Sequence, residues 1–229
     1  MQLVLDIKLR HDATFENFLV GNNSELISAL QFASKVQGEN NYYCWATKGC
    51  GLSHLLQATC HAASQNNFQS MYIPLAEFKV FGPDILEGIE SLDLICIDDL
   101  QLIAGDKQWE EALFHAFNRL RDAGKYLILG SRLAPGEMPI QLKDLHSRLH
   151  SGVCFQIKEL NDQDKILLLQ QDAKRRGFEL SQDIAKYLIN HYPRDMATQL
   201  DILQKLDLAS LVKKHRVTLP FVKSTLTDI

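Results

Sequence analysis

Five short apolar runs, each followed by residues of helical periodicity, constrain this chain more than any other feature. Residues 42–45, 71–73, 92–97, 126–129 and 153–157 carry almost no polar interruption and read as strands. Strands apolar on both faces belong in a parallel sheet covered by helices on each side. Between them, Leu26, Ile27, Leu30 and Ala33 recur at helical spacing after a turn at Gly21-Asn22-Asn23. A helix begins near Ser53, a short one is expected over 83–89, and a strong one over 107–121 ends before Gly124. After Ile157 the pattern is helical only. Asn161 is placed to cap a helix through Arg176, followed by helices over 181–191 and 196–212 and a short last one opened by Thr218-Leu219-Pro220. The organisation expected is a tail over residues 1–11, an α/β domain over 12–159 and a helical domain over 160–229.

Composition narrows the partners. The 229 residues are 46% hydrophobic, enough for a filled core, and the formal net charge of −4 argues against a protein that coats nucleic acid. Five cysteines, an odd number with no CxxC pair, point to reduced thiols in the cytoplasm. No apolar stretch is long enough to span a membrane, and Met1 to Ile7 lacks the basic start and apolar centre of a signal peptide, so a cytoplasmic location is expected.

Phosphate chemistry enters at the first strand-to-helix junction. Ala46-Thr47-Lys48-Gly49-Cys50-Gly51-Leu52-Ser53 follows a strand and opens a helix, the context of a phosphate loop. Against GxxxxGK[ST], Gly51 and Ser53 match, Ala46 stands for the first glycine and Leu52 for the lysine. The backbone amides of Gly49 to His54 can still cradle an anion. Ser53 can hold Mg²⁺, but Leu52 brings no charge to the β- and γ-phosphates. Ile95-Cys96-Ile97-Asp98-Asp99 is an apolar strand ending in two carboxylates, the Walker B form that holds Mg²⁺ and its water. Without the lysine, a bound nucleotide is expected to be a diphosphate, with Ser53 and Asp98 the candidate Mg²⁺ ligands.

Several stretches resemble the AAA+ module of the replication initiator DnaA. They are 14–22, which opens that module; 45–56, its Walker A strand and helix; Asp98-Asp99-Leu100-Gln101-Leu102-Ile103-Ala104-Gly105, its Walker B region; and Leu127 to Arg132, its sensor 1 strand. Leu145-His146-Ser147-Arg148-Leu149 resembles the arginine-finger segment, and Pro193-Arg194-Asp195-Met196 the sensor 2 turn. With no reader domain after the helical part, the chain is most similar to the Hda family of stand-alone DnaA relatives. The resemblance implies an α/β P-loop AAA+ module, a parallel sheet flanked by helices and followed by a small all-helical lid. The chain's own nucleotide site is then regulatory or vestigial; if occupied, it is expected to hold ADP, at Gly49, Cys50, Gly51, Leu52, Ser53, His54, Asp98, Asp99, Ser131 and Arg194. The resemblance also implies a regulator that is not itself an ATPase: docked on the DNA-loaded sliding clamp, the β subunit of DNA polymerase III, it prompts DnaA to hydrolyse ATP through Arg148 supplied in trans. DNA is then contacted only through the clamp, and self-association stays open. The alternative is an autonomous P-loop ATPase of the helicase-loader or clamp-loader type, against which Leu52 argues.

The clamp contact is expected in the tail. In an extended Gln2-Leu3-Val4-Leu5-Asp6-Ile7, the side chains of Leu3, Leu5 and Ile7 share one face and Gln2 can make paired hydrogen bonds. Pattern alone fits an edge strand equally well; the family resemblance favours the clamp.

Overall fold

A computed structural model of the chain describes residues 9–226. They form two compact units: one of residues up to Thr47 with Gly51–Lys158, the other of Glu159 onward with the loop residues Lys48–Cys50.

The first unit is built on a five-stranded parallel sheet of β1 (Asn41–Trp45), β2 (Ser70–Pro74), β3 (Leu94–Asp98), β4 (Tyr126–Ser131) and β5 (Val153–Gln156), in the order β2-β3-β4-β1-β5. Burial follows position. β3 and β4 are buried at every residue, whereas edge strand β5 alternates, with Cys154 and Gln156 exposed. That is why β3 and β4 are apolar runs and β5 tolerates a glutamine. Around the sheet lie α1 (Ser24–Ala33), α2 (Leu52–Gln65), α3 (Leu75–Phe78), α4 (Lys107–Asp122) and α5 (Lys143–Leu149). One core runs through Tyr43, Ile73, Ile95, Ile97, Leu113, Phe117, Leu127, Leu129, Leu145 and Leu149. Trp109 is core at 3% exposure, with Phe114 packed against it, as their spacing suggests.

The second unit holds α6 (Asp162–Arg175), α7 (Gln182–His191), α8 (Met196–Lys213) and α9 (Leu219–Thr225) around Leu169, Leu188, Ile202, Leu203, Leu206 and Val222. Every helix has a side-chain cap: Asn161 accepts from the Asp164 amide at 2.9 Å, and Ser181, Asp195 and Thr218 do the same for α7, α8 and α9. Each cap satisfies an amide that the first turn leaves without an intrahelical partner.

One local expectation fails. The helix expected over 83–89 is a pair of 3₁₀ turns, Pro83–Leu86 and Ile89–Ser91, because Glu87 is extended and Gly88 takes a φ of 75°. α8 ends at Lys213, and Lys214 caps it in the left-handed region.

Candidate functional site

The phosphate loop follows β1, and its conformation rests on glycine. Gly49 and Gly51 have φ of 86° and 87°, which side-chain-bearing residues adopt only under strain. A Cβ on Gly51 would also lie 2.7 Å from the Phe18 ring. Gly51 therefore opens α2 with the Leu52, Ser53 and His54 amides at its first turn, an electropositive end suited to an oligophosphate. Ala46, in the place of the first glycine, is 2% exposed and donates its amide to the Ser131 carbonyl at 3.1 Å, so it serves the sheet rather than the loop. Leu52 is half-buried and Cys50 half-exposed. His54 Nε2 lies 2.8 Å from the Thr14 carbonyl and its ring 5.7 Å from that of Phe18. The opening segment is thus fastened to α2, as is Arg10 of the expected tail, whose amide donates to Gln57 Oε1 at 2.9 Å.

The acidic element lies beside it. Asp98 ends β3 at 2% exposure, accepting from the Tyr72 hydroxyl and the Asp99 amide, each at 2.8 Å, and from Ser53. Ser53 and Asp98, the two residues proposed for Mg²⁺, are therefore brought together. Burial pushes the Asp98 carboxyl above the usual aspartate range, against the opposing pull of Ser53 and Tyr72. A carboxylate whose pKa rises on folding costs stability while ionised, and that cost disappears as pH falls through the raised pKa. Asp98→Asn is accordingly expected to favour the ligand-free chain more at pH 7, where the buried aspartate is ionised, than at acid pH, where it is already neutral. Denaturant melts at the two pH values check this.

Asp99 sits in the left-handed region at φ 57° and pairs with Arg132 at 3.2 Å. Gln101 joins this acid to the sensor 1 strand: its Nε2 donates to Asp99 at 2.8 Å, and its Oε1 accepts from Ser131 Oγ at 3.3 Å and the Arg132 amide at 3.0 Å. Ser131 itself is fully buried and bonded inward. In the helical unit, Arg194 pairs with Asp162 at the start of α6, both exposed. Among the described residues no cluster of three or more metal-ligating side chains occurs, and no helix is long and apolar enough to cross a membrane.

Arg148 lies at the other end of the sheet. It occupies the last turn of α5, which leads into the start of β5, whereas the phosphate loop leaves the end of β1; the two strands are paired in parallel, Tyr42 with Val153 and Trp45 with Gln156. Roughly 15 Å of strand separates the two ends. Leu145 and Leu149 are buried, as their four-residue spacing predicts, but Arg148 does not project freely into solvent. It is half-buried, its guanidinium 5.9 Å from the centre of the Phe117 ring, because α4 packs along α5 and offers an aromatic face there.

A residue the sequence reading passed over holds α5 in place. Glu110 on α4 is 1% exposed, and its carboxylate accepts from the amides of Gly105 at 2.7 Å, Gln141 at 3.0 Å and Leu142 at 2.8 Å. Leu142 is the N-cap residue immediately before α5. The signal was a glutamate on the apolar face of α4, between Trp109 and Leu113. Removing the acceptor leaves buried amides unpaired, at about 1–3 kcal/mol each before relaxation. Glu110→Ala is expected to cost about 3 kcal/mol and Glu110→Gln less, read from chemical denaturation.

The sheet order, the Gly-rich strand-to-helix loop facing a buried carboxylate, and a separate capped helical unit define a P-loop module of the AAA+ class with a lid. The comparisons are specific. A family model described as the bacterial DnaA ATPase domain matches residues 9–156, and one described as the Hda lid domain matches residues 162–226. The chain belongs to the DnaA ATPase-domain family and is a Hda/DnaA-like AAA+ protein. Among solved structures, domain III of Thermotoga maritima DnaA superposes with a TM-score of 0.84 at 24% identity, covering 97% of this chain and 98% of that one. AMPPCP-bound DnaA from Aquifex aeolicus gives 0.74 at 23% identity, covering 91% and 70%. A Thermotoga maritima RuvB variant gives 0.71 at 15% identity, covering 94% and 71%. At these identities the likeness concerns the fold.

Proposed function

We propose that this protein is a negative regulator of replication initiation that stimulates ATP hydrolysis by DnaA, acting in trans through Arg148 while tethered to the DNA-loaded sliding clamp. The observation that carries this reading is the position of Arg148, at the sheet end opposite the chain's own phosphate loop. From there it serves a neighbour's nucleotide rather than its own. An arginine supplied in trans to a transferring phosphoryl group is worth roughly 10³ to 10⁵ in rate. The tail residues Gln2, Leu3, Leu5 and Ile7 fall outside the described residues, and their clamp contact rests on the sequence pattern and the family. A tether of this kind raises the local concentration of the regulator around DNA-bound DnaA.

In this reading the chain's own site is regulatory. Gly49 to His54, with Asp98 and Asp99, hold a nucleoside diphosphate, ADP, by backbone amides and the helix end, and Ser53 with Asp98 can take Mg²⁺. Ser131 supports that site through Gln101, and Arg194 belongs to it by its place in the sensor 2 motif. Leu52 leaves the site without the cation most useful to a γ-phosphate, so the protein does not turn over ATP itself. It works in the cytoplasm, meets DNA through the clamp and has no membrane partner; a homo-oligomer is compatible with this role. The test is DnaA-bound ATP hydrolysis with and without this protein and clamp-loaded DNA. Conversion to ADP should accelerate only when both are present, and an unchanged rate refutes the proposal.

A further inference from the structure

Arg148 does not stand alone at its end of the sheet. It lines a cleft of about 280 Å³ together with Arg121, Lys125, Phe117, Asn41 and Ser151. The charges are unbalanced. Arg121, Lys125 and Arg148 meet a single carboxylate, Glu39, in a chain whose overall charge is −4. Two of the three cations also hold a carboxylate from outside the lining. Arg121 pairs only with its exposed neighbour Asp122 at 3.1 Å, and Lys125 pairs with Asp93 at 3.0 Å. Among the described residues the Arg148 guanidinium has no hydrogen bond or ion pair, and the Phe117 ring is its one polarisable contact. A half-buried guanidinium without a counter-ion, beside two more cations, is a poor arrangement for the protein alone and a good one for a multivalent anion. The cleft is small, at the lower edge of the range of about 300 to 1,000 Å³ for whole-ligand pockets, a size suited to the phosphate end of a ligand.

We propose that this cleft is an oligophosphate cradle in which Arg121 and Lys125 join Arg148 in holding the triphosphate presented by a nucleotide-loaded partner protein. This rests on the trans-acting reading above and adds two residues to it. Three cations spread over the cleft match charge distributed along the β- and γ-phosphates, which one guanidinium cannot cover. Asn41 and Ser151 supply neutral hydrogen-bonding groups at the rim. The base and ribose stay with the partner that presents them.

The experiment has two arms, both on the full chain. In the first, Arg121 and Arg148 of the parent protein are modified with phenylglyoxal, residue by residue, with and without inorganic tripolyphosphate. Protection of both arginines by about fivefold or more is expected, and no protection of either overturns the cradle. In the second, Arg121→Ala and Lys125→Gln are assayed for stimulation of DnaA-bound ATP hydrolysis, their folding checked by thermal melts. Each is expected to lower the maximal single-turnover rate by about tenfold while moving the half-saturating concentration less than threefold, and Arg121→Lys is expected to recover most of the loss. A raised half-saturating concentration with an unchanged maximal rate makes these residues docking groups and overturns the proposal. Protection by tripolyphosphate without any loss of stimulation means that the cleft takes free phosphates, and overturns it too. If Arg121→Ala and Lys125→Gln behave like the parent while Arg148→Ala fails, only the cradle is wrong. If Arg148→Ala also stimulates normally, the trans-acting reading itself falls.

Discussion

Arg148→Ala is expected to reduce stimulation of DnaA-bound ATP hydrolysis by about 10³-fold, the lower end of what an arginine supplied in trans contributes. The loss should lie in the rate and not in the fold. Arg148 takes part in no ion pair among the described residues, so truncation forfeits its contact with Phe117, worth about 0.5–1 kcal/mol. Leu145 and Leu149, which anchor the same helix, are untouched. Arg148→Lys should restore only a small part, since an ammonium is a point charge and cannot fork onto two phosphate oxygens. A calorimetric melt beside the hydrolysis assay separates the outcomes. A melting point lowered by more than about 10 °C would make Arg148 a structural arginine, because 1 kcal/mol shifts a domain of this size by only about 2–4 °C.

The second large effect concerns the tail. Gln2→Ala combined with Leu3→Ala is expected to weaken binding to the sliding clamp by at least about 100-fold, or roughly 2.8 kcal/mol at about 1.4 kcal/mol per factor of ten. An extended peptide seated by one amide side chain and an apolar face loses most of its anchoring when both of its first contacts are truncated. Stability is expected to stay unchanged, because the first residues of a chain usually contribute little to a domain's core. Isothermal titration against the clamp decides the matter, and an unchanged affinity would remove the tail from the account.

What the sequence made legible follows from the range of each interaction. β3 and β4 were evident because central strands are buried on both faces, so every residue from Leu94 to Asp98 had to be apolar until the carboxylate at the end. The lid helices were evident because Asn161, Ser181 and Thr218 announce their starts within three residues. The helix expected over 83–89 failed on the backbone angles of two residues, the extended Glu87 and the positive-φ Gly88, which no apolar pattern records. At the site, Ser53 and Asp98 were paired from motif order alone. The roles of Gln101 and Glu110 were not visible, since each depends on partners about 30 residues away, Ser131 and Arg132 for one, Gln141 and Leu142 for the other. The same applies to Arg148: its spacing on α5 placed it beside buried leucines, but only the packing of α4 supplies the Phe117 face and the neighbouring cations of its cleft.

The central claim is that hydrolysis occurs in DnaA's site and not in this protein's own. It is tested most directly by disabling each nucleotide site in turn in an assay containing DnaA, this protein and clamp-loaded DNA. If the account is right, ATP hydrolysis survives Asp98→Ala in this protein, at a rate set by its regulatory site, while a DnaA with a disabled phosphate loop shows none. Hydrolysis that survives in the disabled DnaA and vanishes with Asp98→Ala would contradict it and make this chain an ATPase in its own right.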